Sequence, residues 1–432
     1  MKIRNLTIHK FFIFLIFYAC PFFTGHLSVY KGQSYMYLQL FSFLFFIYGL
    51  KFFQDFNIKV YRIFSIVLFF ASFLFLYYSL DTVINTPYII KRDIADFFRP
   101  FIYAFIASFP FIFPVKQEDF KEIIKFSLIL IFIQIFMNIL VFIPGLDLFV
   151  KAYRPQHFGI NYFRFSGTFG YAYTFSAFMT FVLLYAIFFY TQYSGENKTK
   201  LMLLVDLIFL SIVLSGSRAG LGGIIIVLLI LFLFERQKVV KLLFIKLIFI
   251  FALIVVFFVY IGIDITIVQK IVDNIKSLLE KGVNDPSAGH RFAELLLTKE
   301  ILEKNFWLGA GSNKFIFNVV KGLHLESLYA YYLAKWGFLG FMIYNTQIFL
   351  VWLLSKKVES LYIDNIYISS LAKAMKYWIF ALYIFGLSIS FVDSYRGPFI
   401  FYLLVGYLLY FYILRKINLK EKESNEKNIN AN

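Results

Sequence analysis

The sequence predicts an all-α, polytopic membrane fold, and three observations carry that prediction. The 432 residues are 61% hydrophobic and only 16% charged, well below the charge of an ordinary soluble domain. Apolar runs long enough to cross ~30 Å of hydrocarbon recur along the whole chain, so a bilayer has to solvate them. These runs lack strict alternation and exceed the length of a barrel strand, which selects helices over a β-barrel.

Taken in order, the first element opens on Met1 to Lys10, with Lys2, Arg4 and Lys10, followed by the apolar run Phe11 to Phe23. No A-x-A cleavage site follows, and Phe17-Tyr18-Ala19-Cys20 is a poor lipoprotein box, so the segment reads as an uncleaved first span. About twelve transmembrane helices are expected, near 11–27, 35–50, 60–80, 99–115, 121–143, 170–190, 201–215, 219–234, 242–263, 325–354, 374–392 and 398–414. The fourth contains Pro110 and Pro114, and Lys335-Trp336-Gly337 interrupts the tenth. The chain therefore divides into residues 1–263 with nine spans, a long extracytoplasmic segment 264–323, residues 324–414 with three spans, and a polar tail 415–432 expected to be disordered.

The long segment is patterned as helix rather than linker. Ile267, Ile271, Ile275 and Leu278 repeat at helical spacing up to Gly282. After Asp285-Pro286, Ser287 can cap a second amphipathic helix running to Asn305, with Phe292, Leu295, Leu296, Thr298 and Leu302 as its apolar face, and the two helices fit an interfacial lid. The glycine turn Gly309-Ala310-Gly311-Ser312-Asn313 then returns the chain to the membrane.

Charge sets the orientation. Of the 42 Lys and Arg residues, 24 fall at the amino terminus, the tail and the short segments on their side of the bilayer, against nine in the short segments opposite. Both termini are therefore expected to be cytoplasmic. The net charge of +17 reads as headgroup contact, since no basic helix or stacking module points to nucleic acid. The single cysteine, Cys20, excludes an intramolecular disulfide and a cysteine metal cage, and the five histidines show no zinc-like spacing. No P-loop, nucleophile elbow or dinucleotide fingerprint is present, so neither a nucleotide nor any other cofactor is expected.

Polar groups on the outer face are the candidate site. In Ser215-Gly216-Ser217-Arg218-Ala219-Gly220, Arg218 stands at a helix start nearly surrounded by bilayer, where an unpaired arginine costs at least ~3 kcal/mol. Two readings of this turn stand side by side. Free N–H groups, Ser217 and the guanidinium would hold an anion, or Gly216 and Gly220 serve close helix packing while Arg218 reaches for headgroups. Arg291, Arg164 and Arg396 are further outward cations suited to bidentate phosphate contact; Arg396 can instead pair with nearby Asp393, and Arg164 can be an interfacial anchor. Glu326 and His324 are the candidate bases where the chain re-enters the membrane, unless Glu326 merely pairs with Lys321 or Lys335.

These residues, with Trp307-Leu308-Gly309-Ala310-Gly311 and the Lys335-Trp336-Gly337-Phe338-Leu339-Gly340 turn, resemble the O-antigen ligase and polysaccharide polymerase superfamily over roughly residues 160 to 400. The resemblance implies a GT-C-like membrane glycosyltransferase in a bacterial inner membrane, working without metal on glycans carried by undecaprenyl diphosphate. It further implies that Arg218 and Arg291, with Arg164, engage the lipid diphosphate, and that a flippase and a chain-length regulator are partners. Ligases of the superfamily resemble one another in a histidine ten residues before the tryptophan of the Trp-Gly turn. Glu326-Ser327 occupies that place here, which resembles the O-antigen and capsule polymerases. The resemblance thus favours a repeat-unit polymerase acting with inversion, with a ligase, or a transporter of lipid-linked sugar, as alternatives.

Overall fold

A bilayer offers no partner for a backbone N–H or C=O, so long apolar runs fold as helices that satisfy both internally. The computed structural model describes residues 4–18, 58–86, 91–139, 165–169, 172–215, 217–235, 286–313, 325–387 and 396–430, apart from a few isolated positions and side chains. Among the described residues there are only helices, turns and loops, and no strand. The α-helices are α1 (Asn5–Tyr18), α2 (Ile58–Asn85), α3 (Lys91–Ile112), α4 (Gln117–Ile139), α5 (Ala172–Gln192), α6 (Lys198–Leu214), α7 (Arg218–Phe234), α8 (Pro286–Lys304), α9 (Leu328–Leu361), α10 (Ile366–Phe385) and α11 (Gly397–Asn430).

Five stretches are long and apolar enough to cross a membrane: Phe64–Asn85, Gln117–Ile139, Ala172–Gln192, Leu328–Leu361 and Gly397–Leu419. The chain is a polytopic, all-helical membrane protein. Described helices overlap ten of the expected stretches, the first only as far as Tyr18, whereas the second (35–50) and ninth (242–263) lie largely outside the described residues, as does the helix expected from Ile267.

Helix α5 is the innermost. Of its apolar window 83% is buried, against 17% for α2, whose Phe69, Phe70 and Phe73 are exposed and suited to lipid. Small and hydroxyl side chains on α5 let its neighbours close in. Trp378 of α10 donates from Nε1 to the Ala177 carbonyl at 2.8 Å, and a Cβ on Gly220 of α7 would lie 2.7 Å from the Ser176 Cβ. Helices α6, α7 and α10 pack around α5, while α2, α3, α11, α9 and α8 pack in succession on one another.

Several boundaries differ from the sequence expectation. Helix α3 starts at Lys91 rather than near 99, because Asp93 in its first turn complements the helix dipole. Helix α10 starts at Ile366 rather than 374, where Asn365 Oδ1 accepts from the Tyr367 and Ile368 N–H groups. Helix α11 continues through Asn430, over the tail expected to be disordered. The oppositely charged pairs Lys422/Glu426 and Glu423/Lys427 stand at the i, i+4 spacing that supports an exposed helix.

Candidate functional site

The site is built around a break in α9. Gly337 takes φ 61° and ψ −166°, a conformation open to glycine alone, so the helix stops at Trp336 and restarts at Phe338. Such a break strands carbonyls on one side and N–H groups on the other. The glycine turn after α8 meets both needs. The N–H groups of Ala310 and Gly311 donate to the carbonyls of Ala334 and Lys335 at 2.9 and 2.7 Å, while those of Phe338 and Leu339 donate to the carbonyls of Phe306 and Trp307 at 2.9 and 3.2 Å. Gly309 (φ 75°) is pressed so close that a Cβ there would stand 2.6 Å from the Gly337 nitrogen. The two motifs singled out in the sequence are thus halves of one backbone junction.

This junction and a small apolar cluster of Leu297, Ile301, Ala310, Leu325 and Ala334 dock α8 on the start of α9. Docking brings Arg291 and Glu326 together. Arg291 donates from Nη2 to Glu326 Oε2 at 2.6 Å and from Nη1 to Glu294 Oε1 at 2.7 Å. Glu294 is fully buried, and its carboxylate also accepts from the N–H groups of Glu326 (3.2 Å) and Ser327 (3.0 Å), with His290 Nε2 at 3.1 Å. Ser327 caps α9 by accepting from the Ala330 N–H. Burial alone would pull the Arg291 guanidinium down, but Glu326 and Glu294 outweigh it and raise its pKa above the ordinary arginine value, so it stays charged.

A second polar group lies about two turns into α9. Buried Lys335 pairs with Asp96 of α3 at 3.2 Å, Arg99 pairs with the same carboxylate at 3.1 Å, and Ser312 donates to it at 2.8 Å. Arg99 also donates to the Tyr331 hydroxyl, and the Lys335 ammonium stands over the Tyr331 ring. Lys335 is therefore committed to Asp96 rather than to Glu326.

The remaining expected residues are placed as follows. Arg164, His324, Lys321 and Asp393 lie outside the described residues, as does the side chain of Arg218. The backbone of Arg218 opens α7, as expected, and the Ser217 hydroxyl is used as the N-cap, accepting from the Gly220 N–H at 3.0 Å. Arg396 does not face outward. It is fully buried and donates to the carbonyls of Thr168 (2.8 Å) and Ile16, because the carbonyl end of α1 favours a cation. The expected apolar face of α8 is only partly turned inward. Of its expected residues Thr298 is buried and Leu302 half-buried, but Phe292, Leu295 and Leu296 are exposed, and Glu294 and Leu297 are buried instead. Both the bonds to Glu294 and the Leu297 and Ile301 contacts hold this rotation of the helix.

Sequence reasoning missed Glu294, Asp96 and Arg99. A signal existed for the first, since Glu294 stands three and four residues after Arg291 and His290, the spacing at which helix side chains meet. Asp96 falls between the third and fourth expected spans and Arg99 at the start of the fourth, where neither stands out from neighbouring charges.

Fold and site together define a class, a multi-span helical membrane protein with a partly buried arginine–carboxylate group beside a broken helix. Residues 201–344, one third of the chain, match the family model described as O-antigen ligase, a similarity that supports the O-antigen polymerase and ligase superfamily over that segment. The match runs from α6 into α9 and so includes Arg218, Arg291, Glu294, Glu326 and both halves of the backbone junction. No curated protein matches the chain. An enzymatic role of the ligase or polymerase type in polysaccharide biosynthesis follows at that level.

Proposed function

We propose that the chain is a polysaccharide repeat-unit polymerase. It would move a growing glycan from undecaprenyl diphosphate onto a hydroxyl of the next lipid-linked repeat, in O-antigen, capsule or exopolysaccharide synthesis at the bacterial inner membrane. The observation that supports this reading is the 2.6 Å contact between Arg291 and Glu326, a cation suited to a diphosphate beside a carboxylate suited to accept a proton. The bond between the sugar C1 and the diphosphate oxygen breaks, and its electron pair leaves with the lipid diphosphate. A preorganised guanidinium stabilises that developing charge best where water is excluded. The acceptor hydroxyl forms the new C1–O bond from the opposite face, with inversion, and its proton passes to Glu326. Arg218, whose backbone opens α7, and Arg164 would complete the anion site, with His324 as an alternative base. No cofactor is required, because the donor bond supplies the energy.

Glu326-Ser327, standing where ligases of the superfamily carry histidine, supports polymerase over ligase. The ligase reading has its own support in the description of the matching family model. Cells displaying the polymer separate them. Arg291→Ala and Glu326→Ala, expressed at normal levels, should reduce a glycan ladder to single repeats, the arginine variant by about 100-fold or more in chain-extension rate. A wild-type ladder from both variants rejects the assignment. Long polymer left on its carrier, and absent from its final lipid acceptor, identifies a ligase.

A further inference from the structure

The two carboxylates on Arg291 differ in a way that the chemistry above does not use. Glu294 is 0% exposed and bonds two backbone N–H groups besides the guanidinium, so nothing can replace it without stranding those donors. The Glu326 side chain is 39% exposed, and among the described residues no comparable set of bonds pins its Oε2. Arg291 itself is 22% exposed. As it stands, one arginine faces two carboxylates, and the arm that a phosphate oxygen needs is occupied.

We propose that Glu294 is a positioning residue that holds Arg291 permanently through Nη1, and that Glu326 is an internal anion on Nη2 which the incoming diphosphate displaces. The exchange is one anion for another on the same donor, with no net loss of hydrogen bonds to the guanidinium. Its consequence is order. Glu326 is released to take the acceptor proton only when a donor diphosphate sits on Arg291, so the acceptor hydroxyl is not activated at an empty site. This inference rests on the reading of Arg291 as a diphosphate contact.

The test is binding of inorganic pyrophosphate to the purified full-length protein in nanodiscs, in chelator-containing buffer, alongside thermal unfolding. If Glu326 competes with the anion, Glu326→Gln and Glu326→Ala bind pyrophosphate roughly tenfold more tightly than the wild type, although both lose chain extension. Glu294→Gln, with an amide turned toward Arg291, binds roughly tenfold more weakly, and Glu294→Asp recovers part of the loss. Should Glu294→Gln fail to fold, the Glu326 variants, at a partly exposed position, still decide. Pyrophosphate binding that Arg291→Ala abolishes but Glu326→Gln leaves unchanged or weakens overturns the exchange alone. Binding indifferent to Arg291→Ala overturns the assignment of the arginine, and the exchange with it.

Discussion

Asp96 holds two cations, Lys335 and Arg99, inside the bundle, and it is the residue whose loss the protein should feel most. Asp96→Ala would leave buried Lys335 and half-buried Arg99 without this carboxylate, at a cost of about 3–5 kcal/mol. Asp96→Asn, which keeps an oxygen for Ser312, should cost less. Thermal unfolding in detergent measures both, and equal unfolding temperatures for Asp96→Ala and the wild type would contradict the account. At this scale the sequence was legible where a charge interrupts an apolar run on the outer face. Arg218 is legible that way, Arg291 as an outward cation of the lid helix and Glu326 as a carboxylate at membrane re-entry, and the structure brings the last two into contact. Partnership was not legible. Lys335 was weighed as a partner of Glu326 and turned out to serve Asp96, because a pairing between residues 239 positions apart leaves no trace in local spacing. Arg396 was read as outward-facing for a related reason, since only the packed α1 terminus reveals the carbonyls that bind it.

Among the elements, the broken helix α9 and the turn after α8 depend on each other. A methyl group on Gly337 would fall onto the Trp307 carbonyl and force an L residue into a glycine conformation. Gly337→Ala should therefore destabilise the protein by roughly 2–3 kcal/mol and abolish chain extension, by shifting Glu326 relative to Arg291. Thermal unfolding together with the ladder assay checks this; normal values in both would show that the junction does not position the site. The break itself was visible in the sequence as Lys335-Trp336-Gly337. The rotation of α8 was not, because apolar periodicity identifies a buried face only where water is the alternative. Beside a membrane the apolar stripe of Phe292, Leu295 and Leu296 is free to face outward, and a buried carboxylate takes the inner position.

For the whole molecule, four lysine–aromatic contacts lie at the end of the bundle away from the Arg291 group. Lys10 stands over Phe126, Lys121 over Tyr367, Lys373 over Phe188 and Lys357 over Tyr412. These contacts tie together the ends of α1, α4, α5, α9, α10 and α11 that the charge count assigns to the cytoplasm, while the Arg291 group joins α8 to the opposite end of α9. Separating the polar site from the cation-rich end suits chemistry at one face better than a pathway running between faces. The deciding measurement uses purified protein in liposomes containing lipid-linked repeat units, with product length read on a gel. The wild-type chain should lengthen the glycan, and Arg291→Ala should leave single repeats. Sugar flux across the bilayer without lengthening, or equal lengthening by Arg291→Ala, would contradict the account.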